Sequence, residues 1–122
     1  MKLLNVNQSL LAPDGATEMK ASEGEVLTLG ACIQTYAGMV HFMDLKKHEL
    51  GAYHAAKKIG RGSRNDGVAK LDKEEYDAVK AMADKGTFKQ PGGGEEQPVF
   101  TQAFVRFQVA ELVDAAENEK AE

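Results

Sequence analysis

The chain has 122 residues, of which 43% are hydrophobic and 28% charged, and its formal net charge is −4. This is enough chain for one domain with an apolar core of its own, and the acidic balance excludes a protein that coats nucleic acid by bulk phosphate neutralisation. A single cysteine, Cys32, excludes an internal disulfide, and no run approaches the roughly 20 apolar residues that span a bilayer.

Residues 2–11 are rich in Leu and Val with polar interruptions, and Pro13-Asp14-Gly15 is a strong turn signal. Residues 16–21 are expected to return as a second short strand, and Ser22-Glu23-Gly24 turns again before Val26 and Leu27. This predicts a small N-terminal antiparallel hairpin or meander. The stretch Met1–Asn7 carries one charged side chain and lacks the apolar core of a signal peptide, so a reducing, cytoplasmic location is expected. Cys32, set among Leu29, Ala31 and Ile33, reads as a buried, inert thiol rather than a nucleophile.

From Thr28, a plausible N-cap, the period becomes helical: Leu29, Ile33, Tyr36, Ala37 and Val40 fall on one face. Asp44 is placed to cap a second helix with Leu45, Glu49, Leu50, Tyr53, Ala56 and Ile59 on its apolar side. Gly60 would end that helix at C′, with Lys57 and Lys58 at the negative end of its dipole and Gly60-Arg61-Gly62-Ser63-Arg64 as a mobile loop. Asp72 and Glu75 form a capping-box pattern, Leu71 and Tyr76 a hydrophobic staple, and Gly86 closes this third helix, with Tyr76, Val79 and Ala83 facing inward.

Residues 89–98 read as a flexible loop inside a single globular domain, 1–110. The segment 98–116 fits a helix or a strand, and its length favours the helix. As a helix it has two apolar arcs, Phe100, Ala103, Phe104, Phe107 and Ala110 against Val105, Val109, Leu112 and Ala116, so a second subunit is expected on one of them and the protein is expected to be a homo-oligomer. Residues 111–122 are expected to fray as an acidic tail. The fold class that follows is α+β, a small N-terminal antiparallel hairpin packed on three to four helices.

The charge is unevenly placed. His41 to Lys70 carries +4, seven cations against three carboxylates, while every other part of the chain is acidic. Lys46, Lys47, Lys57, Lys58, Arg61 and Arg64 are the candidate phosphate ligands, since ammonium and guanidinium groups gathered in one segment attract phosphate oxygens. Tyr53, one turn before Lys57, is the candidate stacking platform, although a tyrosine at this spacing is more often core. Tyr36, Phe42 and Phe88 are the other aromatics interleaved with the basic run.

Other constellations are weaker. His41, His48 and His54 lack the i, i+4 spacing of zinc helices, and Asp44 and His48, which have it, find no second histidine or cysteine nearby. Asp72, Glu74, Glu75 and Asp77 cluster at a helix start, where the dipole favours them, and read as exposed rather than catalytic. Gly92-Gly93-Gly94 lacks phosphate-loop spacing and precedes Glu95 and Glu96, which would repel phosphate. No catalytic residue, metal or cofactor is assigned.

An N-terminal hairpin ending in Leu27-Thr28-Leu29-Gly30, followed by compact helices with Tyr53, Ala56, Lys58 and Ile59 at Tyr-x-x-Ala-x-Lys-Ile spacing, resembles small bacteriophage-encoded accessory proteins. The charge order, a basic segment before an acidic C-terminus, is similar to that of phage and bacterial single-strand binders, whose acidic tails compete for the basic site. The resemblance implies a small phage accessory protein of the host cytoplasm acting on nucleic acid, transcription or assembly; joined to the basic run and Tyr53, it leads to the expectation of a non-enzymatic protein that binds single-stranded nucleic acid beside a replication or transcription machine, with a polymerase or other protein as partner. The alternative is a protein–protein module, either an inhibitor of a host enzyme or a small assembly chaperone.

Overall fold

The computed structural model describes residues 1–20 and 24–118. In chain order it contains β1 (Lys2–Asn5), α1 (Leu29–Met39), α2 (Glu49–Arg64), β2 (Val68–Leu71), α3 (Lys73–Lys85), β3 (Thr87–Phe88), β4 (Gln97–Pro98), α4 (Ala103–Asp114) and β5 (Glu117–Asn118), an α+β architecture of helices on a small antiparallel sheet that includes the N-terminal strand. Among the described residues no helix is long and apolar enough to cross a membrane.

The sheet order is β2-β1-β5, with Leu4 opposite Ala69 and Lys2 opposite both Leu71 and Asn118. Strand alternation turns Leu4, Ala69 and Leu71 into the core. β1 itself pairs with the distant β2 and β5, and the expected local meander forms just after it: Leu11 bridges Glu18, Lys20 bridges Val26, Met19 N donates to the Leu10 carbonyl and Leu27 N to the Met19 carbonyl, with residue 21 outside the described residues. The turn between Leu11 and Glu18 forms as expected. The Thr17 hydroxyl donates to Asp14 Oδ2, and the N–H groups of Thr17 and Ala16 donate to Oδ1; led by the hydroxyl, these bonds hold the carboxyl down at about 2.

Thr28 caps α1, accepting from the Ala31 N–H at 3.2 Å, and Leu29, Cys32, Ile33 and Tyr36 are buried at helical spacing. Asp44 does not cap α2: it sits at φ 59°, a left-handed turn residue, and a short 3₁₀ turn over Lys46–His48 leads into α2 without a side-chain cap.

Two expectations for α2 are also corrected. The helix does not stop at Gly60 but runs to Arg64, so Arg61 and Arg64 occupy its last turn rather than a mobile loop. Its end is set further on, where Asn65 Nδ2 donates to the Arg61 carbonyl and Gly67, at φ 78°, returns its N–H to the Gly62 carbonyl. The buried stripe is Gly51, Ala52, Ala55, Ile59 and Gly62, rotated from the expected face, and Leu50 and Tyr53 are left outside. Small residues win this face because the chain crosses so closely that a Cβ on Gly51 would lie 2.9 Å from the Glu74 carbonyl oxygen.

α3 has the expected capping box, with Asp72 accepting from Glu75 N and Glu75 accepting from Asp72 N, and Gly86 closes it in the left-handed conformation at φ 64°. Tyr76 donates its hydroxyl to the Val113 carbonyl at 2.7 Å, tying α3 to α4. The expected loop 89–98 is shortened by β4, which pairs with β3 and leaves Pro91–Gly94 at the tip.

Segment 98–116 is helical over 103–114, with Val105, Val109 and Val113 buried. The boundary expected at 110 falls inside α4. Residues 111–114 complete the helix and 117–118 pair with β1, so this part of the acidic segment is structural, while 119–122 lie outside the described residues. Lys80 Nζ donates to Asp114 at 2.9 Å; that bond raises the ammonium's proton affinity and holds the carboxyl below its ordinary range.

Candidate functional site

Leu50, Tyr53, His54, Lys57, Arg61 and Arg64 recur at three- and four-residue steps along α2, which places them on one outward stripe about 21 Å long. Tyr53 is 58% exposed, so it is not a core residue. The Lys57 ammonium lies 5.3 Å from the Tyr53 ring centroid and the His54 ring 5.4 Å from it, leaving one face of the phenol beside a cation. Lys46 and Lys47 are exposed in the turn just before the helix. Among the described residues no carboxylate is within ion-pair distance of Lys46, Lys47, Lys57, Arg61 or Arg64. This is an unneutralised cationic track with an aromatic near its start.

The other candidate, Lys58, is turned away. Its Nζ is 2.6 Å from Glu75 Oε1, and Glu75 is buried at 4% exposure. The expectation that the carboxylates of this cluster are all solvated is corrected for Glu75, whose Oε1 also accepts the Asp72 N–H at 2.8 Å. Nothing in the spacing of Lys58 and Glu75 announced this pairing, because they meet across two helices. Beside them, where the end of α2 meets β2, a shallow open groove of about 510 Å³ is lined by Lys58, Arg61, Asn65, Asp66 and Lys70.

The remaining candidates do not converge. His41 Nδ1 lies 3.9 Å from Glu49 Oε1 and is exposed, and Asp44 and His48 do not share a helix. Among the described residues no group of three or more His, Cys, Asp or Glu side chains is placed to hold a metal ion. Gly92, Gly93 and Gly94 all take left-handed φ at a hairpin tip; beside them Glu96 bonds Lys85 at 2.9 Å, and that bond lowers its carboxyl's proton affinity. Of the acidic segment expected to compete for the cations, Asp114 is paired with Lys80, and Glu117 is exposed in β5, where it lies opposite Leu3.

Burial pushes the Cys32 thiol up to about 12. A thiolate-directed reagent should therefore leave the native protein unmodified at neutral pH and label it fully in denaturant. Rapid native labelling, read by mass, would contradict this burial.

No protein-family model, no curated protein and no solved structure matches the chain.

Proposed function

We propose that this is a non-enzymatic protein that binds single-stranded nucleic acid along the outer stripe of α2, as an accessory of replication or transcription. The observation that supports it most is Tyr53: an exposed aromatic beside Lys57, near the start of a row of cations that, among the described residues, has no carboxylate within ion-pair distance. A base has a π-face that stacks on such a ring whatever its sequence, while phosphates take the lysines and guanidinium groups. The local character of the track fits the chain's net negative charge, because contact is confined to one helix rather than spread over the surface.

The test is a fluorescence-anisotropy titration with labelled single- and double-stranded oligonucleotides across salt concentrations. If Lys46, Lys47, Lys57, Arg61 and Arg64 each neutralise a phosphate, log affinity falls with log salt at a slope of about −3.5. Tyr53→Ala should weaken binding about tenfold with little change in slope, and Arg61→Ala/Arg64→Ala should flatten the slope by about 1.4. Absent binding at low salt, or binding indifferent to salt, rules the reading out.

One observation favours a second reading. Leu50 is 61% exposed beside Tyr53, and an apolar pair ringed by cations also suits an acidic protein surface, as in a host-enzyme inhibitor or assembly chaperone. Partner capture that survives nuclease treatment and is lost in Leu50→Asp would select this reading.

A further inference from the structure

The α4 helix has a second uncovered surface, independent of the α2 stripe. Phe107 is 63% exposed and Phe104 41%, one turn apart; Ala103 and Glu111 are also exposed on that side, and Ala110 is half-buried. The opposite side of the helix, Val105, Val109 and Val113, is buried in the core. Positions 100, 103/104, 107, 110/111 and 114 repeat every three or four residues, the spacing of a helix-pairing seam.

The charges of this helix are arranged so that one end lacks what the other end has. The first turn of α4 contains no acidic residue, and Gln102 makes no capping bond to its free N–H groups. The last turn contains no basic residue and the seam there carries Glu111. The N-terminal end of the dipole is thus uncompensated, whereas the C-terminal end already meets Lys80 at Asp114 and Lys2 at the Ala116 carbonyl. A second α4 laid antiparallel supplies what is missing, because it brings the Glu111 carboxylate of each helix to the open N-terminus of the other.

We infer that this chain forms a two-fold homodimer through antiparallel pairing of α4. With the axis at Phe107, that ring packs on Phe107 of the partner subunit, Phe104 lies over Ala110 of the partner subunit, and Glu111 faces the partner's first helical turn. Large residues meet small ones, and negative charge meets the positive helix end. The interface is isologous, so it closes at two copies and does not propagate. α2 and α4 each pack on α1 and α3, and the seam of α4 includes no residue of the α2 stripe.

Sedimentation of the purified full-length chain over a concentration series should show a reversible monomer–dimer equilibrium. Phe107→Glu should raise the dimer dissociation constant at least about tenfold with an unchanged circular dichroism spectrum. Glu111→Gln, which keeps shape and removes charge, should raise it about fivefold. A short bismaleimide should join Phe104→Cys chains to Ala110→Cys chains when the two are mixed, with buried Cys32 silent. A monomer at concentrations up to about 1 mM overturns the inference. So does a dimer indifferent to Phe107→Glu, or crosslinking of Phe104→Cys chains to one another in place of the mixed product. Perturbation of α4 resonances solely by added oligonucleotide, in a chain that stays monomeric, would assign the face to nucleic acid and overturn it equally.

Discussion

Lys58→Met is expected to lower the free energy of unfolding by about 3 kcal/mol. The methionine keeps the stem of the side chain but removes the ammonium 2.6 Å from Glu75, a carboxylate 6% exposed at its side chain. One donor then remains on Glu75 Oε1, the Asp72 N–H, for a charge that water scarcely reaches. The cost sits at the low end of the range for breaking a buried pair, because Lys58 itself is 29% exposed and solvent enters where its ammonium stood. Lys58→Met/Glu75→Gln should recover most of the loss, since a neutral amide still accepts from Asp72 N and needs no cation. Urea unfolding of the three proteins measures this. A single variant within about 0.5 kcal/mol of the parent would mean the pair contributes nothing.

Gly62→Ala should destabilise by about 2 kcal/mol, opposite in sign to the roughly 1 kcal/mol that alanine adds inside an unconstrained helix. A Cβ at this position would lie 2.5 Å from the Val68 carbonyl oxygen and 2.9 Å from its carbon. Those are backbone atoms of a strand hydrogen-bonded to β1, so they do not yield as a flexible side chain would. Relief requires moving α2 away from β2, which also disturbs the turn that closes the helix. Gly60→Ala is the control: its nearest neighbour is the end of the Gln34 side chain at 3.1 Å, so alanine there should be neutral or stabilising. Thermal unfolding that ranks Gly62→Ala at or above the parent would refute the close packing of α2 on β2.

Local chemistry was legible in the sequence wherever it was complete within a few residues. The Thr28 cap, the Asp72–Glu75 box, the Gly86 terminus and the Asp14 turn each need donors and acceptors at fixed short offsets, and all formed. Helix α2 misled for the opposite reason. Gly60 and Gly62 resemble terminators, yet both are helical: at Gly62 the strand that follows comes too close for any larger residue, while Gly60 meets only the end of the Gln34 side chain. The same inversion hid its faces: hydrophobic Leu50 and Tyr53 looked like core, whereas glycine and alanine are the buried side. Reading small residues as a contact surface would have placed Tyr53 outside from the start.

The candidate site divides along the same line. Charge order along the chain already singled out Lys46, Lys47, Lys57, Arg61 and Arg64, and no fold was needed to see that the cations cluster. Only the tertiary structure removed Lys58 from that set, by bringing a buried Glu75 to it from another helix, and converted an expected loop into a rigid last turn. Composition and spacing carry information about neighbours along the chain, so they settled the α+β class, the caps of α1 and α3 and the cationic segment. Which face of a helix meets water, which strand pairs with β1 and which charge is cancelled are set by residues tens of positions apart, and those contacts exist only once the chain has closed on itself.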